Sequence, residues 1–291
     1  MAVVSRKLFV VLATVLFMAS SLMASLMASV MTASVTAPAV AQPGMEPARA
    51  IPEGPARAWL VADMDSGRIL ASRDPYALSA PASTIKVLLA MVVLDQINLN
   101  AAIRASPSSA NVECSCVGVE PGRIYTARQL LDGLLLVSGN DAANTLADML
   151  GGRPVAVAKM NAKARAVGAR STRAGSPSGL DGPGMLSATT AHDLAMIFRA
   201  AMRYPAFAHI IRQPSALFPG DSGMRQITNQ NELLTRYPGA LGGKTGFTNI
   251  ARKTFVGAAQ RNGRRLVVVQ MYGTGDMYGQ AMGLLDWGFS Q

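Results

Sequence analysis

The sequence predicts an α+β fold: one antiparallel sheet assembled from both ends of the chain, flanked by helices, with an all-helical lobe inserted between its two parts. Three observations carry this reading. Segments of strand character occur at 58–72 and again at 242–271. Helical spacing dominates the stretch between 84 and 204. Tight turn signals, such as Arg261-Asn262-Gly263, separate the late strands. Strands at both ends with helices between them make two lobes, and the cleft between lobes is the natural place for a site.

The elements follow in order. Arg6 and Lys7 precede a run from Leu8 to Val30 with no charged residue, and Ala39-Val40-Ala41 stands before Gln42. This is the outline of a secretory signal peptide over 1–41. The apolar run is also long enough, at about 20 residues, to stay as an uncleaved membrane anchor. Either way the remainder is expected outside the cytoplasm, in a periplasm-like space, at the wall or secreted. Residues 42–57, rich in Pro, Ala and Gly, read as a linker, and 58–291 as one catalytic domain. Its sheet lobe covers 58–105 and 225–291, its helical lobe 106–224.

Ala58–Met64 and Arg68–Ser72 read as strands around Asp65-Ser66-Gly67. From Thr84 to Gln96 the chain is apolar almost all round, the signature of a buried central helix. Thr126-Ala127-Arg128-Gln129 fits a capping box, and Leu130, Leu131, Leu134 and Leu135 follow at helical spacing. Ser138-Gly139-Asn140 breaks that helix, and Asp141 can cap the next, which Gly151-Gly152 stops. Pro154 opens another helix, and Ser187–Thr190 offers caps for one ending near Tyr204. Strands at 242–248, 254–260 and 266–271 and a helix from about 280 to 289 complete the chain.

Removing 1–41 leaves 25 basic and 17 acidic residues, a formal charge of +8. A basic exported chain is drawn to anionic wall polymers, membrane surfaces and carboxylate-bearing ligands. Nucleic acid is excluded as a partner, because no basic run is interleaved with aromatics. Cys114 and Cys116 form a C-x-C. An oxidising compartment permits a disulfide, although residues this close would close a strained ring. No metal site is expected there, since neither His192 nor His209 lies near in sequence.

Three short motifs carry chemistry. Ser83-Thr84-Ile85-Lys86 is the only S-x-x-K in the chain. Ser83 needs a base to become a nucleophile, and Lys86, three residues on, can serve if its amine is neutral. The plain alternative is an N-cap serine with a surface lysine, but this lysine sits in a helix with no polar face. Ser138-Gly139-Asn140 places two short polar side chains at a helix junction, although ordinary turn chemistry would look the same. In Lys244-Thr245-Gly246, alternation puts Lys244 and Gly246 on one strand face and Thr245 on the other. A phosphate loop is ruled out there, because position 238 is Pro238 where that pattern needs Gly.

Taken together, the three motifs resemble those of the penicillin-binding proteins and serine β-lactamases. The closest resemblance is to the low-molecular-mass D-alanyl-D-alanine carboxypeptidases, which use Ser-Gly-Asn in the second motif. Pro81-Ala82-Ser83-Thr84, Leu134 to Ala143, Met160-Asn161, Ser187 to Leu194 and Gly243 to Thr248 extend it over Ala58 to Phe289. The resemblance implies a β-lactamase/transpeptidase-like fold that needs no metal or cofactor. It implies that Ser83 attacks the carbonyl between two D-alanines of a peptidoglycan stem peptide, and that Lys86 takes its proton. Ser138 would relay a proton to the leaving amine, and Asn140 would hold the substrate amide or Lys86. Lys244 would supply positive potential that helps keep Lys86 neutral. Thr245 would meet the terminal carboxylate, Gly246 would let the substrate backbone approach, and the amides of Ser83 and Phe247 would form the oxyanion hole. β-Lactam antibiotics would be covalent inhibitors.

A Ser-His-Asp triad would need His192 or His209, and no G-x-S-x-G accompanies them. A class A β-lactamase needs a glutamate between the second and third motifs, and none occurs between Glu120 and Glu232. A D,D-endopeptidase shares the same motifs, and an inactive wall-binding module would not need them intact. The arginine that many members place before the last helix is missing from Tyr272 to Gln280. Thr245 and Lys244 are then expected to carry most of the carboxylate recognition, with Arg252 or Lys253 as an added cation and Arg252 favoured for its planar fork. The plain alternative is that both point to solvent from the strand start.

Overall fold

The structure, a computed structural model, describes residues 50–291. The segment read as a signal peptide, and the linker up to residue 49, lie outside the described residues. The first strand, β1 (Ala56–Asp63), begins two residues inside the stretch assigned to the linker, and β2 (Ile69–Arg73) folds back on it. A single 3-10 turn at Ala82–Ile85 leads into α1 (Lys86–Gln96). Then come β3 (Ala102–Arg104), α2 (Pro107–Ala110), β4 (Ile124–Thr126), α3 (Ala127–Leu136), α4 (Asn140–Met149) and α5 (Arg153–Ala166). After a long irregular stretch follow α6 (Ala191–Ala201), α7 (Pro205–Arg212), β5 (Ser215–Gly220), β6 (Gly223–Thr228) and α8 (Leu233–Arg236). The chain closes with β7 (Ala240–Thr248), β8 (Arg252–Arg261), β9 (Arg264–Gly273) and α9 (Met277–Phe289).

The main sheet has the order β2-β1-β9-β8-β7, antiparallel throughout, so the first strands of the domain lie against the last. Alternation along each strand sorts side chains into two cores. Leu60, Val256, Val267 and Val269 face the helices, among which α1 is buried on all sides from Lys86 to Val93. So α1 belongs with α3 to α7 and not, as the division drawn from the sequence has it, with the sheet lobe. Trp59, Val61, Phe255, Leu266 and Val268 face the other way and pack on Leu284, Leu285 and Trp287 of α9. The capping box at Thr126 forms as its residues dictate, with Thr126 Oγ1 accepting from Gln129 N and Gln129 Oε1 accepting from Thr126 N.

The inserted lobe is not all-helical. The pairs β3–β4 and β5–β6 form two small separate sheets, and β6 runs across the boundary at 224/225 drawn from the sequence. The β5–β6 hairpin buries little more than Phe218 and Ile227, so its apolar alternation is weak. The short α7 starts on Pro205 and was also not expected. Asp141 does not cap α4, whose N-cap is Gly139. Asp141 lies in the first turn, where its Oδ1 accepts the neighbouring Ala142 N–H at 2.8 Å, and the same carboxylate accepts the backbone N–H groups of Val117, Gly118 and Val119 at 2.9, 2.8 and 2.8 Å. Among the described residues, no helix is long and apolar enough to cross a membrane.

Candidate active site

Ser83 and Lys86 meet because the backbone between them is 3-10 rather than α-helical. At three residues per turn, positions i and i+3 eclipse, and Lys86 Nζ lies 3.0 Å from Ser83 Oγ. The turn is pinned at its start. Thr84 Oγ1 donates to Pro81 O at 2.7 Å, and Thr254 Oγ1 from β8 donates to the same oxygen at 2.8 Å.

Val137 ends α3, and Ser138 then adopts φ 62°, which is costly for a residue with a Cβ. That conformation aims two of its oxygens at one nitrogen. Ser138 O lies 2.5 Å and Ser138 Oγ 3.3 Å from Lys86 Nζ. Asn140, at the first turn of α4, brings Oδ1 to 2.6 Å from the same nitrogen. From the sheet edge, Lys244 Nζ donates to Ser138 Oγ at 2.8 Å and to Thr245 O at 2.7 Å. The structure thus brings all three motifs into one hydrogen-bonded cluster, with Ser138 Oγ between the two lysines.

The partner chemistry fixes what Lys86 can do. A carbonyl and an amide oxygen only accept. Ser138 O and Asn140 Oδ1 therefore take both hydrogens of a neutral amine and leave its lone pair for the Ser83 hydroxyl. Burial makes the neutral form accessible. Lys86 is fully buried, and desolvation first, then the Lys244 charge, hold its pKa well below the ordinary lysine value, against an opposing contribution from Asp141. Burial also lowers Lys244, to about 7.

The third motif reaches Ser83 because position 246 has no side chain. A Cβ on Gly246 would sit 2.8 Å from Ser83 N and 2.5 Å from Thr254 Oγ1. As β7 is the sheet's edge strand, the backbone groups on its outer side face the cleft instead of another strand. Thr245, Gly246 and Phe247 line this cleft of about 830 Å³ together with Ser83, Ser138 and Asn140. Phe247 is 59% exposed on its rim.

Other residues of the wall carry no local sequence signal. Glu113, Cys114 and Ser115 come from the loop before α3, Asp181 from the turn-rich stretch, and Arg236 from α8. Both carboxylate oxygens of Asp181 are buried there without a protein hydrogen-bond partner. The preference for Arg252 over Lys253 is reversed. Both side chains are exposed, but Lys253 lines the cleft and donates to Gly275 O at 3.0 Å, whereas Arg252 does not line it. Successive residues of a strand point to opposite faces, and only Lys253 shares the face of its cross-strand partner Phe247. Cys114 and Cys116 are joined by a disulfide. His192 packs on Tyr76 and Asp193, and neither it nor His209 reaches the cleft, which removes the triad alternative.

Residues 45–275 match the family model described as D-alanyl-D-alanine carboxypeptidase. The D-alanyl-D-alanine carboxypeptidase DacB2 of Mycobacterium tuberculosis is 64% identical over 245 residues, covering 82% of this chain and 84% of that protein. The D-alanyl-D-alanine carboxypeptidase DacF of Bacillus subtilis is 27% identical over 246 residues, which are 81% of this chain but 62% of that longer protein. A crystal structure of a D-alanyl-D-alanine carboxypeptidase from M. tuberculosis H37Rv superposes with a TM-score of 0.83 at 62% identity, covering 84% of this chain and 95% of that one.

Proposed function

The chain belongs to the D-alanyl-D-alanine carboxypeptidase family, serine peptidases of the penicillin-binding fold, and from that premise we infer how its own residues perform the reaction. The enzyme removes the terminal D-alanine of peptidoglycan stem peptides through an acyl-enzyme and binds β-lactams.

Ser83 Oγ attacks the penultimate carbonyl carbon as its proton passes to the lone pair of Lys86. The negative charge that develops on the carbonyl oxygen falls between the amides of Ser83 and Phe247, where fixed donors act most strongly. The proton then moves by way of Ser138 Oγ to the leaving amine, and D-alanine departs with an intact carboxylate. Water attacks the acyl-enzyme by the same relay in reverse and restores Ser83. Lys244 and Thr245 face the substrate carboxylate, which raises the Lys244 pKa again on binding. Asp181 offers acceptors to N–H or ammonium groups of the peptide. The observation that carries this reading is the Ser83–Lys86 contact of 3.0 Å with acceptors, Ser138 O and Asn140 Oδ1, already placed for both hydrogens of the neutral amine.

The reading places the enzyme outside the cytoplasm, supported by the N-terminal pattern of basic, apolar and A-x-A segments. The +8 charge after cleavage supports attraction to anionic wall polymers or lipid. D-Alanine release from a pentapeptide ending in D-Ala-D-Ala tests the function. The wild type should release it and Lys86→Arg, which stays charged, should not. An active Arg variant would refute the role of the base.

A further inference from the structure

We propose that the Cys114–Cys116 disulfide is a positioning device for the catalytic base, fixing the two carbonyls that orient Asn140 and, through Asn140, Lys86. The two carbonyls come from residues on either side of Cys114. Glu113 O accepts from Asn140 Nδ2 at 2.7 Å, and Ser115 O accepts from Asn140 N at 2.7 Å. Ser115 lies inside the ring that the disulfide closes, and its Oγ donates to Val137 O at 3.1 Å. Residues 111–117 contain no helix or strand. Beyond the ring, Asp141 fixes the next three amides, so the loop is strapped to the α3–α4 junction on both sides of Cys116.

The bond to Glu113 O decides which end of the Asn140 amide faces Lys86. With Nδ2 donating to that carbonyl, Oδ1 must point to Lys86 Nζ, where it sits at 2.6 Å. If the loop relaxes, nothing else in this pair of contacts distinguishes the two ends. A flipped amide would donate N–H to the Lys86 lone pair, the same lone pair that must accept the Ser83 proton. Lys86 would also lose an acceptor that favours its charged form, so its pKa would fall further. The disulfide therefore acts on proton acceptance. Its position suits this role: Cys114 is exposed on the cleft wall, and the chain has no other cysteines.

This inference rests on Lys86 being the base, and the experiment separates the two. Penicillin acylation rates are measured on the intact protein before and after dithiothreitol, which is oxidised to its cyclic disulfide as it reduces the bond, and again after reoxidation. The same measurement is made on Cys114→Ser/Cys116→Ser and on Asn140→Ala. Reduction should slow acylation by about tenfold or more, reversibly, with little change in the unfolding midpoint, and any measurable acid limb should move to lower pH. In Asn140→Ala, reduction should have no further effect, because contacts on one path are not additive. Unchanged acylation on reduction, or an equal loss in the Asn140→Ala background, would overturn the proposal. Failure of the underlying reading would show separately, as normal acylation of Lys86→Arg with the disulfide intact.

Discussion

Lys244 Nζ donates to Ser138 Oγ at 2.8 Å, and that oxygen lies 3.3 Å from Lys86 Nζ, so one hydroxyl joins two buried lysines of opposite duty. In the proposed mechanism one is neutral to accept a proton and the other charged to meet a carboxylate. The first prediction follows from their coupling. Lys244 is one of the groups lowering Lys86. Lys244→Gln removes that charge, so the Lys86 pKa rises towards its ordinary value. Acylation needs the neutral amine, so the acid limb of kcat/KM must shift to higher pH. In the wild type the basic limb, which reports the free enzyme, should descend as pH rises through about 7. A pH–rate profile of both proteins checks this, and an unmoved acid limb would contradict it.

Gly246→Ala should damage catalysis more than stability. The added Cβ meets Ser83 N and Thr254 Oγ1 too closely, and β7 must retreat from the nucleophile. Misplacement of this kind costs about tenfold to a hundredfold in rate. Acylation kinetics beside a thermal melt will show it. Wild-type rates in the variant would mean that the approach of β7 to Ser83 is not needed.

Much of this arrangement was legible in the sequence because its signals are local. The buried α1, the Thr126 capping box and the late strands each follow from spacing within a dozen residues. Ser83 and Lys86 are neighbours for the same reason. The eight-residue α7 and the sparsely buried β5–β6 hairpin left too weak a pattern. Asp141 reads as a cap because Asp at a helix start usually is one, but three of its four amide partners, at 117–119, are more than twenty residues away and only Ala142 N is local. The cleft wall from Glu113, Asp181 and Arg236 is tertiary in the same sense.

Carboxylate recognition should depend on Lys253 and not on Arg252. Lys253 lines the cleft on the strand face of Phe247, and Arg252 points away. On a peptide with a free C-terminal carboxylate, Lys253→Ala should lower kcat/KM about tenfold, the scale of a charged hydrogen bond. The corresponding amide should barely respond, and Arg252→Ala should change neither. A larger loss from Arg252→Ala would reverse the assignment.

The central claim, that Ser83 is acylated with Lys86 as its base, is tested most directly by mapping a penicillin adduct. Trypsin releases Asp74–Lys86 as one peptide, and fragmentation separates Ser79 from Ser83. The adduct should lie on Ser83 in the wild type and be absent from Ser83→Ala and Lys86→Arg. An adduct on another residue, or undiminished labelling of Ser83→Ala, would contradict the account.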